Sequence, residues 1–475
     1  MIAWPKSFSN LLPQRNPFSR RRAVAIKPPA ELESRLRYLR SFLGVYFTLT
    51  AINWARAWPH PAIRFLGAIF GTDLSGTTTY IEAKQNANLL SFLLNSPWRW
   101  LVLLFVVISC VLFVWDRLPR TGSGLLFLAA NLMAYSAGGR HFIFELCGCL
   151  VLAHLLGSSR ALARSLRIER PALVLAMVFA SFGAMYGAAA ISKIQNTGFS
   201  WANSYSLPMM LRHHVYFDQT ESFPTTKTVN AYVLPFLLSI FDRPSGWSAF
   251  ALAGVMILEI VSPFLVLSVT IIPLAPFLWL ALHIGMGFVI GIFSYSIIVL
   301  LLILGLPPLQ IELRSARLLG FAYGGLLIML AWILPVDRYR LSSVIYPFAR
   351  VAMFSHFPGY RDHSPDVWRL LFKDKNGGPI SHSMLLGPTK HSAQILTQRL
   401  SVELPPLYKN GRGVCHFIWK SWREAKAAEP PPFQVWSREI RADLSTKRIY
   451  EVETKLWDCE RDPDSGANVP RRSKQ

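Results

Sequence analysis

Residues 247–270, WSAFALAGVMILEIVSPFLVLSVT, and residues 271–306, IIPLAPFLWLALHIGMGFVIGIFSYSIIVLLLILGL, form an almost unbroken apolar stretch. Glu259 and His283 are its only charged or imidazole side chains. A bilayer core about 30 Å thick is crossed by roughly 20 apolar residues in a helix. The sequence therefore predicts one span over the first segment and a hairpin of two spans over the second, turning near Gly291.

Apolar runs of this kind recur from Ser41 to Pro335. The chain is 52% hydrophobic and only 16% charged, so its polar side chains cannot cover the surface of a soluble protein of 475 residues. We predict an all-α polytopic membrane bundle of about nine transmembrane helices with a small C-terminal soluble α+β or β-rich domain. The remaining spans are expected at 41–58, 98–115, 124–137, 141–157, 171–191 and 318–335.

The basic residues lie mainly between these runs, although the formal net charge is +22. Such placement is typical of helix orientation and contact with anionic lipid, so we predict membrane lipid and no nucleic acid as a partner. Arg35, Arg37 and Arg40 precede the first span, and the positive-inside rule then places the N-terminus in the cytoplasm. Nine crossings put the C-terminal domain outside. An even number of crossings puts it inside, and the excess of basic residues in that domain favours the inside.

Four segments follow from this reading. Residues 1–40 form a basic cytoplasmic segment, 41–335 the transmembrane domain, 336–462 the soluble domain and 463–475 a disordered tail. We expect a multi-pass cell membrane protein, with the prokaryotic inner membrane indicated by the small soluble domain. The apolar run Val229–Phe241 is only long enough for a re-entrant or interfacial helix.

The soluble domain shows strand and turn patterns at 367–372, 373–378 and 447–457. Its two cysteines, Cys415 and Cys459, form a disulfide in an oxidising compartment or remain as two buried thiols. Neither reading is favoured by the sequence.

Ionisable side chains inside spans are costly, at least about 2.5 kcal/mol on insertion scales, so each needs a partner or a task. His141 and Glu145 stand one helical turn apart and either line a site or form a packing pair. Lys193, in YGAAAISKIQNTGFSW, either snorkels to the interface or turns into the bundle, where burial favours a neutral amine able to accept a proton. Glu259 and His283 either line a polar cavity or bind helices together. None of these residues forms a metal signature, and we predict no metal.

Three segments are similar to motifs of one known family: RHFIFELCGCLVLAH, YGAAAISKIQNTGFSWANSYSL and HIGMGFVIGIFSYSIIVL. In their order and spacing the chain resembles the vitamin K-dependent gamma-carboxylase-like, or HTTM (horizontally transferred transmembrane), superfamily over most of 41–335. Gly139 and Arg140 stand where the carboxylase has asparagines, and a single lysine replaces a double one.

The resemblance implies a function. In the eukaryotic carboxylase a lysine deprotonates reduced vitamin K, oxygen adds, and the strong base that results removes a proton from a glutamate, which captures carbon dioxide. Carried onto this sequence, Lys193 is the expected base and His141 the expected polar stabiliser, with Glu145, Trp201, Glu259, His283 and Tyr295 lining the pocket.

The expected cofactor is a reduced, vitamin K-like quinone, and the expected substrate a peptide or protein. The C-terminal domain is far smaller than the carboxylase's lumenal portion. A non-catalytic family member that assists maturation or export of a secreted peptide is therefore the alternative, and a transporter is a further one.

Overall fold

A computed structural model describes residues 30–55, 98–137, 142–217, 232–268, 271–290, 295–306, 316–332, 359–361, 364–380, 385, 411–424 and 429–460. The architecture is mostly helical, with one small antiparallel sheet near the C-terminus. This agrees with the helical bundle and small β-containing domain expected from the sequence. His141 and the tail 463–475 lie outside the described residues.

The described residues up to Thr197 form six α-helices. They are α1 (Ala30–Ala55), α2 (Trp98–Trp115), α3 (Pro119–Ala137), α4 (Phe142–Gly157), the short α5 (Arg160–Leu166) and α6 (Arg170–Thr197). Helix α1 begins before the predicted span at Ser41, so the basic residues that precede the span are themselves helical.

A 3-10 turn (Gly198–Ala202) follows α6, and the described residues from 206 to 332 form six further helices. They are α7 (Ser206–Phe217), α8 (Leu234–Phe241), α9 (Gly246–Leu265), α10 (Ala275–Ile290), α11 (Tyr295–Gly305) and α12 (Arg317–Trp332). Helix α8 has eight residues, too few to cross a bilayer, in line with the interfacial or re-entrant helix expected there.

Helix α6 is the centre of the bundle, and α4, α9 and α12 pack around it. Glycines allow its backbone to approach two neighbours closely. A Cβ at Gly183 would lie 2.7 Å from the Ser262 carbonyl oxygen of α9, and one at Gly187 would lie 2.5 Å from Cγ of Pro263. A Cβ at Gly320 of α12 would lie 2.8 Å from the carbonyl oxygen of Ala176. Helix α12 runs parallel to α6, because Gly324, one turn after Gly320, lies against Ala180, one turn after Ala176.

One end of the bundle collects arginines, which tie helix ends together. Arg40 of α1 pairs with Asp116 after α2 at 3.1 Å, and Arg317 at the start of α12 donates to the Leu267 carbonyl at 2.6 Å. Arg35 donates to the carbonyl of Leu304 in α11. The starts of α1 and α12 and the ends of α2, α9 and α11 therefore share one end, called below the basic end.

From residue 359 onward, the described part of the chain contains the sheet and a helix, α13 (Arg412–Glu424). Strands β1 (Gly359–Arg361), β2 (Ser364–Lys373), β3 (Phe433–Asp443) and β4 (Arg448–Cys459) pair antiparallel in sequence order. Strands were expected at 367–372 and 447–457; the first falls within β2, and the second overlaps β4 from Arg448 onward. Helix α13 packs against β4 and closes a small core.

Cys415 and Cys459 are both fully buried in that core. They are free thiols joined by a hydrogen bond, and no disulfide links them. Burial, with the hydrogen bond to Cys415 as the next cause, raises the pKa of the Cys459 thiol. The disulfide that the sequence also allowed stays a prediction.

The sheet lies against α7, at the end of the bundle away from the basic end. Met209 of α7 packs with Ile440 and Ala442 of β3. Arg212, one turn further, pairs with Asp242 after α8 at 2.8 Å. The sheet is thus held next to the helices that follow the C-terminal end of α6.

Two of the described helices are long and apolar enough to cross a membrane, α6 over 170–195 and α9. Five shorter apolar helices of 10 to 17 residues accompany them, within α2, α4, α10, α11 and α12. In the most apolar window of α6, 94% of the residues are buried, against 33% in α9. Helix α9 therefore shows much of its apolar surface to the outside, which weakly favours association with a membrane.

Candidate functional site

The centre of the candidate site is a buried pair of opposite charges. Nζ of Lys193, on α6, lies 2.6 Å from Oε1 and 2.7 Å from Oε2 of Glu259, on α9. The side chains are only 1% and 0% exposed. Lys193 is therefore turned into the bundle and does not snorkel. Glu259, expected as a pocket residue, is its direct partner.

The helix contact described above explains why the two residues meet. Pro263 follows Glu259 by one helical turn on α9, and Gly187 precedes Lys193 by nearly two turns on α6. Because Gly187 has no side chain, Pro263 sits directly on the α6 backbone. The two axes are held close at that level, which leaves the long side chains of Lys193 and Glu259 able to span the remaining gap.

Trp201 covers the amine from the other side. It lies in the 3-10 turn after α6, is 4% exposed, and its ring centroid is 4.2 Å from Nζ of Lys193. A cation over an indole face is attracted by the ring quadrupole, and the attraction grows when both groups are out of water. Lys193 and Trp201 therefore form one local unit.

A cavity of about 250 Å³ opens beside this unit. Lys193 is its only charged lining residue among the described ones, and Trp201 forms part of the same wall. The other lining residues are apolar: Leu207, Leu211, Leu237, Phe241, Ala251, Leu252, Val255, Ala281, Leu282, Gly285, Met286 and Val289. Helices α7, α8, α9 and α10 thus enclose an apolar space with a single amine at its inner end.

Behind Lys193 lies a group of aromatic residues that sequence reasoning did not single out. The rings of Tyr186 and Trp279 stack with centroids 5.5 Å apart, and His283 lies 5.8 Å from Tyr186. Trp279 donates its indole N–H to Oγ of Ser262 at 2.9 Å. Tyr186 stands seven residues before Lys193, which places both on one face of α6, and this spacing is the signal that could have found it.

The hydroxyl of Tyr186 is buried and has no hydrogen-bond partner in the described part of the chain. Glu259 lies near enough to interact with it electrostatically. A buried hydroxyl without a partner costs about 1–3 kcal/mol, so such groups are uncommon and often belong to functional sites. Tyr186 is thus a further polar group within the Lys193–Glu259 region.

The other expected site residues are distributed differently. Glu259 and His283 are not among the described residues that line the cavity, and the Glu259 carboxylate is engaged by the amine of Lys193. Tyr295 opens α11 and is not part of the described cavity wall either. Glu145 belongs to α4, which packs on α3 and α6, and its side chain is outside what the structure describes.

The geometry defines a helical bundle with a buried lysine–carboxylate pair at the wall of an apolar cavity. Among the described residues, no group of three or more His, Cys, Asp or Glu side chains is arranged to hold a metal ion. Comparison of the chain with protein-family models, with curated proteins and with solved structures finds no match.

Proposed function

We propose that this chain is an integral membrane enzyme of the vitamin K-dependent gamma-carboxylase-like (HTTM) superfamily, in which Lys193 acts as a base on a ligand held in the apolar cavity. The observation that carries the proposal is the position of Lys193: its amine is paired with Glu259, covered by Trp201, and opens onto an apolar space. A buried ionisable pair is costly to keep, and in membrane proteins such residues are functional candidates.

Exposed aromatic side chains support the membrane setting. Phe199, Tyr232 and Trp247 are each more than 70% exposed and lie near the end of α6 or the starts of α8 and α9. At the basic end, Tyr38 and Trp115 are 64% and 62% exposed. Two levels of exposed aromatic residues, separated by exposed aliphatic ones, are typical of the two interfaces of a bilayer.

The helix directions support nine crossings, by α1, α2, α3, α4, α6, α9, α10, α11 and α12. Arg120, near the start of α3, bonds Ser159 just after α4, which adds both to the basic end. A Cβ at Gly305 in α11 would lie 3.2 Å from Phe277 in α10, so these two helices form the expected hairpin. An odd number of crossings takes the chain to the end where the sheet lies. With the basic end in the cytoplasm, the C-terminal domain is outside.

The cavity suits the ring of a reduced quinone. Its volume of about 250 Å³ is slightly below the roughly 300–1,000 Å³ usual for drug-sized ligands, so it holds a ring headgroup and leaves an isoprenoid tail to the lipid. Aliphatic lining from Leu252 and Leu282 suits the ring faces, and the single amine suits one ring hydroxyl. When bound, a reduced quinone supplies an acidic hydroxyl and two reducing equivalents.

The residues of the chain define how Lys193 gains basicity. In the charged pair its amine is already protonated, and the ammonium group donates hydrogen bonds to both oxygens of Glu259. Lys193 can accept a proton from a ligand only after passing its own proton to Glu259. The carboxylate thereby serves as the proton store, and Trp201 orients the amine toward the cavity. Water is excluded because both side chains are buried.

The test is to fill the cavity without touching the pair. A Cβ at Gly285 meets nothing within 4 Å, so Gly285→Leu projects its side chain into the cavity. Gly254→Leu is the matched control, since Gly254 is on α9, also has open space at its Cβ, and does not line the cavity. Mass spectrometry of lipids that co-purify in detergent should find a quinone with the wild type and with Gly254→Leu, and none with Gly285→Leu.

The second candidate is a non-catalytic protein that assists maturation or export of a secreted peptide. The sheet contacts α7, one of the helices that line the cavity. This position favours a peptide partner that binds beside the sheet. The same measurement separates the two. Absence of quinone from every sample, wild type included, contradicts the enzyme and leaves peptide handling.

A further inference from the structure

A second cavity lies far from Lys193, on the outer side of α1 and α2. It has a volume of about 760 Å³, and its lining includes Val45 and Thr48 of α1 and Val111 and Trp115 of α2. We call it the α1–α2 groove. Val45 and Val111 are 60% and 58% exposed, so the groove opens sideways, toward the medium that surrounds the bundle.

The floor of the groove is formed where the two helices touch. A Cβ at Gly44 would lie 2.6 Å from Cγ2 of Val114, so α1 and α2 pack closely there. The walls are aliphatic apart from the Trp115 indole, the Cys110 thiol and the hydroxyls of Ser41 and Thr48. The Thr48 hydroxyl is engaged within its own helix, where it donates to the Gly44 carbonyl at 2.8 Å. An apolar groove of this volume has room for a hydrocarbon chain.

The basic end of the groove carries an excess of positive charge. Ser41 and Trp115 line this end, directly beside Arg40 and Asp116. The charged groups that interact with Arg40 are the carboxylates of Asp116 and Glu33 and the guanidinium groups of Arg37 and Arg170. Arg117 adds another cation, with its guanidinium carbon 5.2 Å from the centroid of the Trp115 ring.

The Arg40 side chain is 13% exposed at this place and is only partly engaged by Asp116. One of its terminal nitrogens bonds Asp116, whereas Nε is buried and makes no hydrogen bond within the described residues. Guanidinium groups form their strongest hydrogen bonds to phosphate and carboxylate oxygens. Basic pockets between membrane helices on the cytoplasmic side are known to bind anionic lipid headgroups.

From this juxtaposition we infer that the α1–α2 groove is a binding site for one anionic phospholipid, with an acyl chain along Val45 and Val111 and the phosphate at Arg40 and Arg117. The groove provides apolar space for an acyl chain, and the arginines provide positive charge for the headgroup. A free anion would contact only the arginines. The inference rests on the membrane embedding proposed above and is independent of the chemistry at Lys193.

The experiment is native mass spectrometry of the full-length, delipidated chain in detergent, titrated with phosphatidylglycerol, phosphatidylcholine or inorganic phosphate. Val111→Trp fills the groove, and Arg117→Gln removes a headgroup cation. Their controls are Ile257→Trp, an exposed residue of α9, and Arg164→Gln, an exposed arginine of α5. We expect one bound phosphatidylglycerol, retained about fivefold less by each of the two groove variants and unchanged in the controls.

Several results overturn the inference. Equal retention of phosphatidylcholine removes the role of charge, and equal weakening by the control variants removes the role of the groove. Binding of inorganic phosphate that Arg117→Gln weakens and Val111→Trp leaves intact identifies an ion site. A dimer that Val111→Trp dissociates identifies a second copy as the occupant. If the wild-type chain binds no phosphatidylglycerol but still co-purifies with a quinone, only the lipid site is rejected. A chain that stays soluble without detergent rejects the membrane embedding on which both proposals rest.

Discussion

Lys193 and Glu259 are 66 residues apart in the chain and meet with both carboxylate oxygens within 2.7 Å of one ammonium nitrogen. Neither side chain reaches the outer surface. Each charge therefore depends on the other, because a single ion left in a low-dielectric interior loses its hydration without compensation. This dependence can be measured separately from any catalytic role.

The first prediction concerns the stability of that pair. Lys193→Met or Glu259→Leu alone leaves one buried charge and should lower the free energy of unfolding by about 3–5 kcal/mol. Lys193→Met combined with Glu259→Leu replaces both charges by apolar groups and should restore most of the loss. Thermal midpoints of the purified variants in detergent check this. Additive losses in the double variant would show that the two side chains do not stabilise each other.

Tyr186 gives a prediction in which stability and binding move in opposite directions. Its hydroxyl has no hydrogen-bond partner among the described residues, so Tyr186→Phe should leave the thermal midpoint unchanged or raise it. If the hydroxyl serves the site, the same variant should bind a quinone several-fold more weakly. The control is Tyr323→Phe, which removes a hydroxyl that does bond, to the Cys149 carbonyl at 3.1 Å. Equal effects of both variants on binding would remove Tyr186 from the site.

The direction of the chain across the membrane predicts a labelling pattern. Lys375 lies in the exposed turn after β2, and Arg164 is exposed on α5 at the basic end. In intact cells a membrane-impermeant maleimide should label Lys375→Cys and leave Arg164→Cys unlabelled until the cells are opened. The wild-type chain is the blank, since four of its five cysteines are buried. Labelling of Arg164→Cys alone would mean the opposite orientation.

The turn between β3 and β4 gives a prediction about pH. Asp443 accepts hydrogen bonds from the Ser445 amide at 2.9 Å and from the Thr446 hydroxyl at 2.7 Å. The hydrogen bonds from Ser445 and then Thr446 lower the pKa of Asp443 to about 2, below the value of about 3.9 for an unfolded chain. Because the folded pKa is the lower one, the carboxylate stabilises the turn above about pH 4, and this is lost as the pH falls through about 2.

Asp443→Asn should therefore speed amide hydrogen exchange in residues 443–448 at pH 7. The difference from the wild type should shrink between about pH 4 and pH 2, where the native carboxyl becomes protonated. The comparison variant is Asp374→Asn, which changes an acidic residue in the separate turn after β2. It is measured in the same pH series. If the difference in exchange between Asp443→Asn and the wild type stays constant over this range, the substitution acts through the shape of the side chain and not through its charge.

Much of the helical region could be predicted from the sequence because length and composition decide where apolar helices occur. The expected spans at 247–270 and 318–335 correspond to α9 and α12 within a few residues. In contrast, α13 and β3 were missed. Helix α13 mixes charged residues with Trp419 and Trp422, and its stability comes from packing on β4 and not from its composition.

The candidate site could be predicted residue by residue but not as an arrangement. Burial cost alone identified Lys193 and Glu259, since an ionisable side chain in a span is conspicuous. Their pairing depends on how Gly187 meets Pro263, a packing detail that local sequence does not specify. For the same reason Tyr186 was overlooked, because a tyrosine in a helix is ordinary until its hydroxyl is found without a partner.

The central claim is that Lys193 and Glu259 together take a proton from a ring hydroxyl bound in the cavity. The most direct measurement is the anaerobic absorbance spectrum of a reduced naphthoquinone added to the purified protein, compared with the Lys193→Met and Glu259→Leu double variant. The account predicts the red-shifted band of the ionised hydroxyl with the wild type and the neutral spectrum with the folded double variant. Identical spectra for the two proteins, or a wild type that binds no quinone, would contradict it.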